Sequence, residues 1–94
     1  MKSAAEVINV LNRILESDGT ARYELIKYFQ SEAWADDSDV DESIDDTVYE
    51  IAYDMDFYQP NKAWRKQQPS LYGDERLDEM LKEWIYKIEV KVNE

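Results

Sequence analysis

The sequence contains neither cysteine nor histidine. Without cysteine, the chain can form no disulfide and no thiolate zinc site. Without histidine, it lacks the general base that serine and cysteine nucleophiles ordinarily use. Glycine is also scarce, with only Gly19 and Gly73, so the sequence has no glycine-rich phosphate loop. We therefore expect no enzymatic activity, no catalytic residue, no metal ion and no cofactor.

Long apolar runs are absent as well. No run approaches the roughly 20 residues that a membrane-spanning helix requires. Residues Met1 to Ser3 lead into an amphipathic segment rather than the apolar core of a signal peptide. We expect a cytoplasmic protein that makes no contact with a membrane.

Positive charge is in short supply, since 11 lysines and arginines against 22 acids leave a formal net charge of −11. Such a chain repels nucleic acid and anionic membranes and attracts cationic surfaces. No base lies between Lys27 and Lys62. Self-repulsion along that stretch opposes a compact fold unless a partner offsets it. Acidic surfaces also serve solubility alone, but the unbroken stretch favours a binding face.

Part of this stretch has the spacing of a calcium loop. Asp37, Asp39 and Asp41 match positions one, three and five of an EF-hand. The sixth position, which requires glycine, is Glu42, and the twelfth, which requires glutamate, is Val48. The pattern excludes an EF-hand and leaves at most a weak cation site.

The residues that are present predict a packed, single domain over 1–94, because 44% are hydrophobic and 13% aromatic. Helical spacing of apolar residues predicts four helices. The first has a cap at Ser3 and ends at Asp18-Gly19, and the second has a cap at Thr20. The first two apolar stripes consist of Val7, Ile8, Leu11, Ile14 and Leu15, and of Leu25, Ile26, Phe29 and Ala33.

Residues 35–42 are predicted to form an exposed acidic linker. A third helix follows, with a cap at Ser43 and an end before Pro60, and the last helix starts near Asp74. Their apolar stripes consist of Ile44, Val48, Ile51, Ala52 and Met55, and of Leu77, Met80, Leu81, Trp84, Ile85 and Ile88. Four such segments indicate an all-α fold, a small antiparallel four-helix bundle.

A long connection, residues 59–73, joins the last two helices. A connection of this length is usually functional or packs back on the domain. We expect its cluster Trp64-Arg65-Lys66 to pair with the acidic helix rather than with nucleic acid. Trp34 and Trp84 lie in or beside apolar stripes, so both are expected in the core.

The third helix carries the candidate binding residues. Tyr49 and Tyr53 are four residues apart and lie away from the apolar stripe. Aromatic rings among acids are typical of an interface, although either ring could instead pack against another helix. The predicted partner-binding residues are Asp45, Asp46, Tyr49, Glu50, Tyr53, Asp54, Asp56 and Tyr58.

These segments together resemble the colicin D immunity family, which includes immunity proteins of contact-dependent inhibition systems. The resemblance lies in YELIKYF at 23–29, in the acidic linker, and in VYEIAYDMDFYQP at 48–60. It continues in the final helix from Asp74 through Leu81 and Ile85.

The resemblance implies a helical bundle that neutralises the nuclease domain of a bacterial toxin. It implies a tRNA-cleaving RNase as the target, bound one to one, with acidic groups occupying the toxin's basic substrate cleft. Two alternatives remain open from the residues. One is a homodimeric adaptor or regulatory bundle, and the other is an acidic nucleic-acid mimic that binds many host proteins.

Overall fold

The computed structural model describes residues 1–35 and 39–93. The described residues contain five α-helices: α1 (Ala4–Glu16), α2 (Gly19–Trp34), α3 (Asp45–Met55), α4 (Lys62–Gln67) and α5 (Asp74–Val92). One isolated parallel bridge joins Tyr58 to Tyr72, and no strand is present in those ranges. The predicted all-helical fold is confirmed. The short helix α4 was not predicted and lies within the connection expected at 59–73.

The start of α1 follows the capping pattern in its sequence. The Ser3 hydroxyl accepts a hydrogen bond from the Glu6 backbone N–H at 3.2 Å. The Glu6 carboxylate accepts from the Lys2 backbone N–H at 3.2 Å, one residue earlier than in a standard capping box. After α1 ends, Gly19 adopts a left-handed φ of +54°, which glycine tolerates best.

The predicted caps of α2 and α3 are both wrong. The structure places Asp18 before α2 and Ile44 before α3, and neither side chain caps the helix. The Ser43 hydroxyl and backbone N–H instead donate to Asp41 Oδ1 at 2.8 and 2.9 Å. This local turn competes with capping for the serine hydroxyl. The same bonds hold the pKa of Asp41 below its ordinary value.

The core forms where α1 packs against α2 and α5, and where α2 packs against α3. The helix α4 contributes no buried side chain. The buried apolar side chains of the four long helices include Val7, Leu11, Ile14, Ile26, Phe29, Val48, Ile51, Met55, Leu77, Leu81, Trp84 and Ile88. In the described part of the chain, no helix is long and apolar enough to cross a membrane.

The two tryptophans expected in the core have different environments. Trp84 is 8% exposed and packs in the core, as predicted. Trp34 is 41% exposed, so the prediction for it is wrong. Trp34 is the last residue of α2, and the buried side of that helix extends only from Arg22 to Gln30.

Candidate protein-binding face on α3

Helix α3 has one buried and one exposed side. Five residues at helical spacing face the interior: Thr47, Val48, Ile51, Ala52 and Met55. Their burial against α2 fixes the rotation of α3 about its axis. The residues between them in sequence must therefore point outward.

Two tyrosine rings lie on the outward side. Tyr49 is 57% exposed and Tyr53 is 58% exposed, and they are one helical turn apart. The Tyr53 ring makes an edge contact with the Phe57 ring, with centroids 5.5 Å apart. This contact restrains Tyr53, so less side-chain entropy would be lost when a partner covers the ring.

Three exposed acids accompany the rings, namely Asp45, Asp46 and Glu50. Among described residues, the only cation within 4.0 Å of them is Lys87, whose Nζ lies 3.9 Å from Glu50 Oε2. Both side chains of that pair are exposed, so it contributes little free energy. These three acids with Tyr49 and Tyr53 are hereafter called the α3 face.

The remaining predicted binding residues lie at its margin or outside it. Asp56 is exposed, and its Oδ1 lies 3.5 Å from Gln30 Nε2. Asp54 is half-buried, and its backbone carbonyl accepts a 2.6 Å hydrogen bond from the Tyr72 hydroxyl. Tyr58 is only 7% exposed, which corrects the expectation that its ring meets a partner.

Tyr58 is part of the interior because its hydroxyl has an internal acceptor. It donates to Asp74 Oδ1 at 2.7 Å. Burial, followed by the Asp74 hydrogen bond, raises the pKa of Tyr58 to about 12. A buried phenol whose hydroxyl is hydrogen-bonded in this way stabilises the fold and is not available to a partner.

A small cavity of about 200 Å³ opens beside Tyr49, between the end of α2 and the start of α3. Asp45 and Asp46 line it together with apolar atoms of Ala33, Val40 and Val48. A cleft lined by both aliphatic side chains and carboxylates fits the long stem and charged head of lysine or arginine. Sequence spacing alone could not reveal this cavity, because it depends on the packing of α2 against α3.

The cluster around Trp64 does not pair with α3 as expected. The Arg65 Nη1 donates to the Gln59 carbonyl at 2.6 Å, and Trp64 is exposed. In residues 1–35 and 39–93, no ion pair joins α4 to an acid of α3. Arg65 instead bonds within the connection, while Tyr72 of the same connection is buried and bonds to α3.

The described ranges contain no group of three carboxylates close enough to hold a metal ion. Asp37, a member of the spacing that resembles a calcium loop, lies outside the described residues. The central part of the predicted acidic linker, residues 36–38, lies outside them too.

Sequence analysis missed the buried role of Arg22. Its guanidinium donates to the carbonyls of Ile14 and Leu15, each at 3.1 Å, and to Asp74 and Asp78 at 2.9 and 2.6 Å. Burial alone would lower the pKa of Arg22, but the two carboxylates raise it. The only sequence signal is its position four residues before Ile26, on the buried side of α2.

Comparison with known proteins identifies no relative. No family model matches the chain. No curated protein and no solved structure is significantly similar to it. The resemblance to colicin D immunity proteins therefore stays a prediction. The α3 face is the structural feature that bears on function.

Proposed function

We propose that this chain is an immunity protein that binds a basic nuclease domain of a bacterial toxin through the α3 face. The observation that carries the proposal is the exposure of Tyr49 and Tyr53 among three acids, of which only Glu50 has an ion-pair partner among the described residues. Single exposed rings are common on protein surfaces, but rings that adjoin on one side of a helix form an apolar patch of the kind that marks a protein-binding site. Aromatic rings surrounded by carboxylates are typical of protein interfaces, where the rings anchor the partner and the charged groups pair with it.

The two kinds of residue would contribute differently. The tyrosine rings supply apolar area whose burial slows dissociation. Asp45, Asp46 and Glu50 attract a cationic surface over several ångströms and raise the association rate at low salt. The cavity beside Tyr49 offers a place for one lysine or arginine of the partner.

A nuclease that cleaves tRNA must present cations to the phosphates of its substrate. The carboxylates of the α3 face would form ion pairs with those cations in a one-to-one complex and so exclude RNA. We also propose that the protein is cytoplasmic and that its four long helices form an antiparallel bundle. The packing of α1 against α2 and α5 supports that bundle.

A homodimer built on the same face is less favourable. In a two-fold interface, each surface patch meets its own copy. Asp45, Asp46 and Glu50 of one copy would then approach the same acids of the other. Like charges brought together in this way oppose association, whereas a basic partner relieves them.

The experiment starts from the gene beside the one that encodes this chain. If that neighbour encodes a large toxin, its C-terminal domain is purified and mixed with the full chain. We expect a one-to-one complex, loss of tRNA cleavage, and an association rate that falls as salt is raised.

Matched variants locate the interface. Tyr49→Ala and Tyr53→Ala are each expected to weaken binding at least tenfold through faster dissociation. Tyr23→Ala, which truncates an exposed tyrosine on α2 whose ring faces Lys27, is the control and should change the affinity less than twofold. The charge variant D45N/D46N/E50Q should slow association, and E16Q/E24Q/E83Q removes the same charge from other exposed positions.

Three results would contradict the proposal. Equal effects of the two charge variants would show that net charge rather than the α3 face matters. A stable homodimer in sedimentation that buries Tyr49 would favour the adaptor alternative. Similar affinity for many unrelated basic proteins would favour a nucleic-acid mimic.

A further inference from the structure

A second charged region has the opposite sign from the α3 face. A crevice of about 650 Å³ lies between α4 and the start of α5. Three cationic side chains line it: Lys62, Arg65 and Arg76. In a chain with a net charge of −11, three cations that line one crevice are unusual.

None of these three cations has an ionic partner within 4.0 Å in the described ranges. Surface cations in an acidic protein have many carboxylates available to them, and neighbouring cations repel one another. Because none of the three cations is held in a close ion pair, the crevice can attract an anion.

The Arg65 guanidinium is held in place. Its Nη1 donates to the Gln59 carbonyl at 2.6 Å. It also lies directly against Gly73, where a Cβ atom would come within 2.7 Å of Nη1. Glycine at this position therefore permits the close approach that places the guanidinium in the crevice. A positioned guanidinium loses less entropy when it binds an anion.

Two acids, Asp74 and Glu75, also line the crevice. Asp74 accepts hydrogen bonds from Arg22 and Tyr58, which offset part of its charge. Glu75 is exposed and has no hydrogen-bonding partner among the described side chains. Three cations against these two carboxylates leave the lining net positive.

We propose that this crevice binds a small phosphorylated molecule, with its phosphate group between Lys62, Arg65 and Arg76. The three donors match the three terminal oxygens of a phosphate better than the two of a carboxylate. The crevice volume suits a small ligand. RNA or DNA would instead carry many charges past the acidic surface, which repels them.

The test uses the full chain labelled with ¹⁵N and titrated with inorganic pyrophosphate at constant ionic strength. We expect saturable shifts of the Gly73 and Arg76 amides and of the Arg65 side-chain N–H. Lys62→Gln and Arg76→Gln should each weaken binding roughly tenfold, as expected for loss of a charged hydrogen bond. Lys66→Gln is the matched control, because Lys66 is exposed on α4 but does not line the crevice.

A variant of unchanged charge tests the geometry. Gly73→Ala should displace the Arg65 guanidinium and weaken pyrophosphate binding severalfold while circular dichroism stays unchanged. Equal effects of Lys62→Gln and Lys66→Gln, or shifts that never saturate, would overturn the site. Equal affinity for citrate would overturn the phosphate assignment, and tighter binding of an RNA oligonucleotide would overturn the choice of a small ligand.

Discussion

Arg22 Nη1 and Asp74 Oδ1 lie 2.9 Å apart and join the buried side of α2 to the first residue of α5. The same guanidinium donates to the last carbonyls of α1, and the same carboxylate oxygen accepts from Tyr58. One ion pair therefore connects three helices and the segment that follows α3. Its loss should therefore destabilise the fold.

Replacing Arg22 by alanine should lower the free energy of unfolding by about 3 kcal/mol. The value lies at the low end for a broken buried ion pair, because Asp74 and Asp78 keep partial contact with water. Urea denaturation followed by circular dichroism measures it. Arg13→Ala, at an exposed position on α1, is the control. A loss below about 1 kcal/mol would mean that the network contributes little.

Asp74 should make stability depend on pH in the acid range. The Tyr58 hydrogen bond, with a further contribution from Arg22, lowers its pKa in the folded state. A lowered pKa stabilises the fold above the unfolded value of about 3.9, and this contribution disappears as pH falls through the folded value. Asp74→Asn should therefore be less stable than the parent at pH 7 and converge with it in acid.

Urea denaturation between pH 7 and pH 2.5 measures this convergence. Glu24→Gln, an exposed substitution that removes the same charge, controls for relief of general repulsion. A constant difference between Asp74→Asn and the parent at every pH would show that the carboxylate charge is not stabilised by folding.

Tyr58 should ionise late, because burial and the Asp74 hydrogen bond raise its pKa to about 12. The difference between the ultraviolet titrations of the parent and Tyr58→Phe isolates this phenol among the seven tyrosines. Its midpoint should return to about 10 in concentrated urea. Since the folded pKa is raised, stability should fall as pH rises from about 10 towards 12. A midpoint near 10 in the folded chain would place the hydroxyl in water.

Two tryptophan substitutions should differ sharply. Trp84→Ala removes a core side chain and should cost about 3–5 kcal/mol of unfolding free energy. Trp34→Ala truncates a side chain at the end of α2 that is 41% exposed, so it should cost under about 1.5 kcal/mol. Parallel urea denaturation curves measure both. Similar losses would mean that Trp34 is buried after all.

Much of the helical architecture was predictable because apolar spacing reports which side of a helix is buried. The stripe Val48–Ile51–Met55 predicted α3, and the structure agrees, but the stripe left open whether Tyr49 is exposed or packs against another helix. The cap at Ser3 was predictable for a similar reason, since its hydrogen bonds join residues that are close in sequence.

The wrong predictions for Tyr58 and Ser43 concern hydroxyl groups whose hydrogen-bonding partners were not anticipated. Tyr58 was predicted to bind a partner together with Tyr49 and Tyr53. In the structure, Asp74, sixteen residues later, accepts its hydroxyl hydrogen bond. Ser43 matched the cap pattern, yet the nearby Asp41 carboxylate takes its hydroxyl. In both cases, the acceptor of the hydroxyl hydrogen bond determined where the side chain lies.

By itself, the sequence determined the helical class, the excess of negative charge and the absence of histidine and cysteine chemistry, because composition and local periodicity carry that information. Only the tertiary structure decided which aromatic rings stay exposed, that Arg22 is buried, and that Lys62, Arg65 and Arg76 share one crevice. These features depend on how separate segments pack, with α1 against α2 and α5, α2 against α3, and α4 beside the start of α5. Apolar burial drives that packing between segments, so local periodicity does not carry the information.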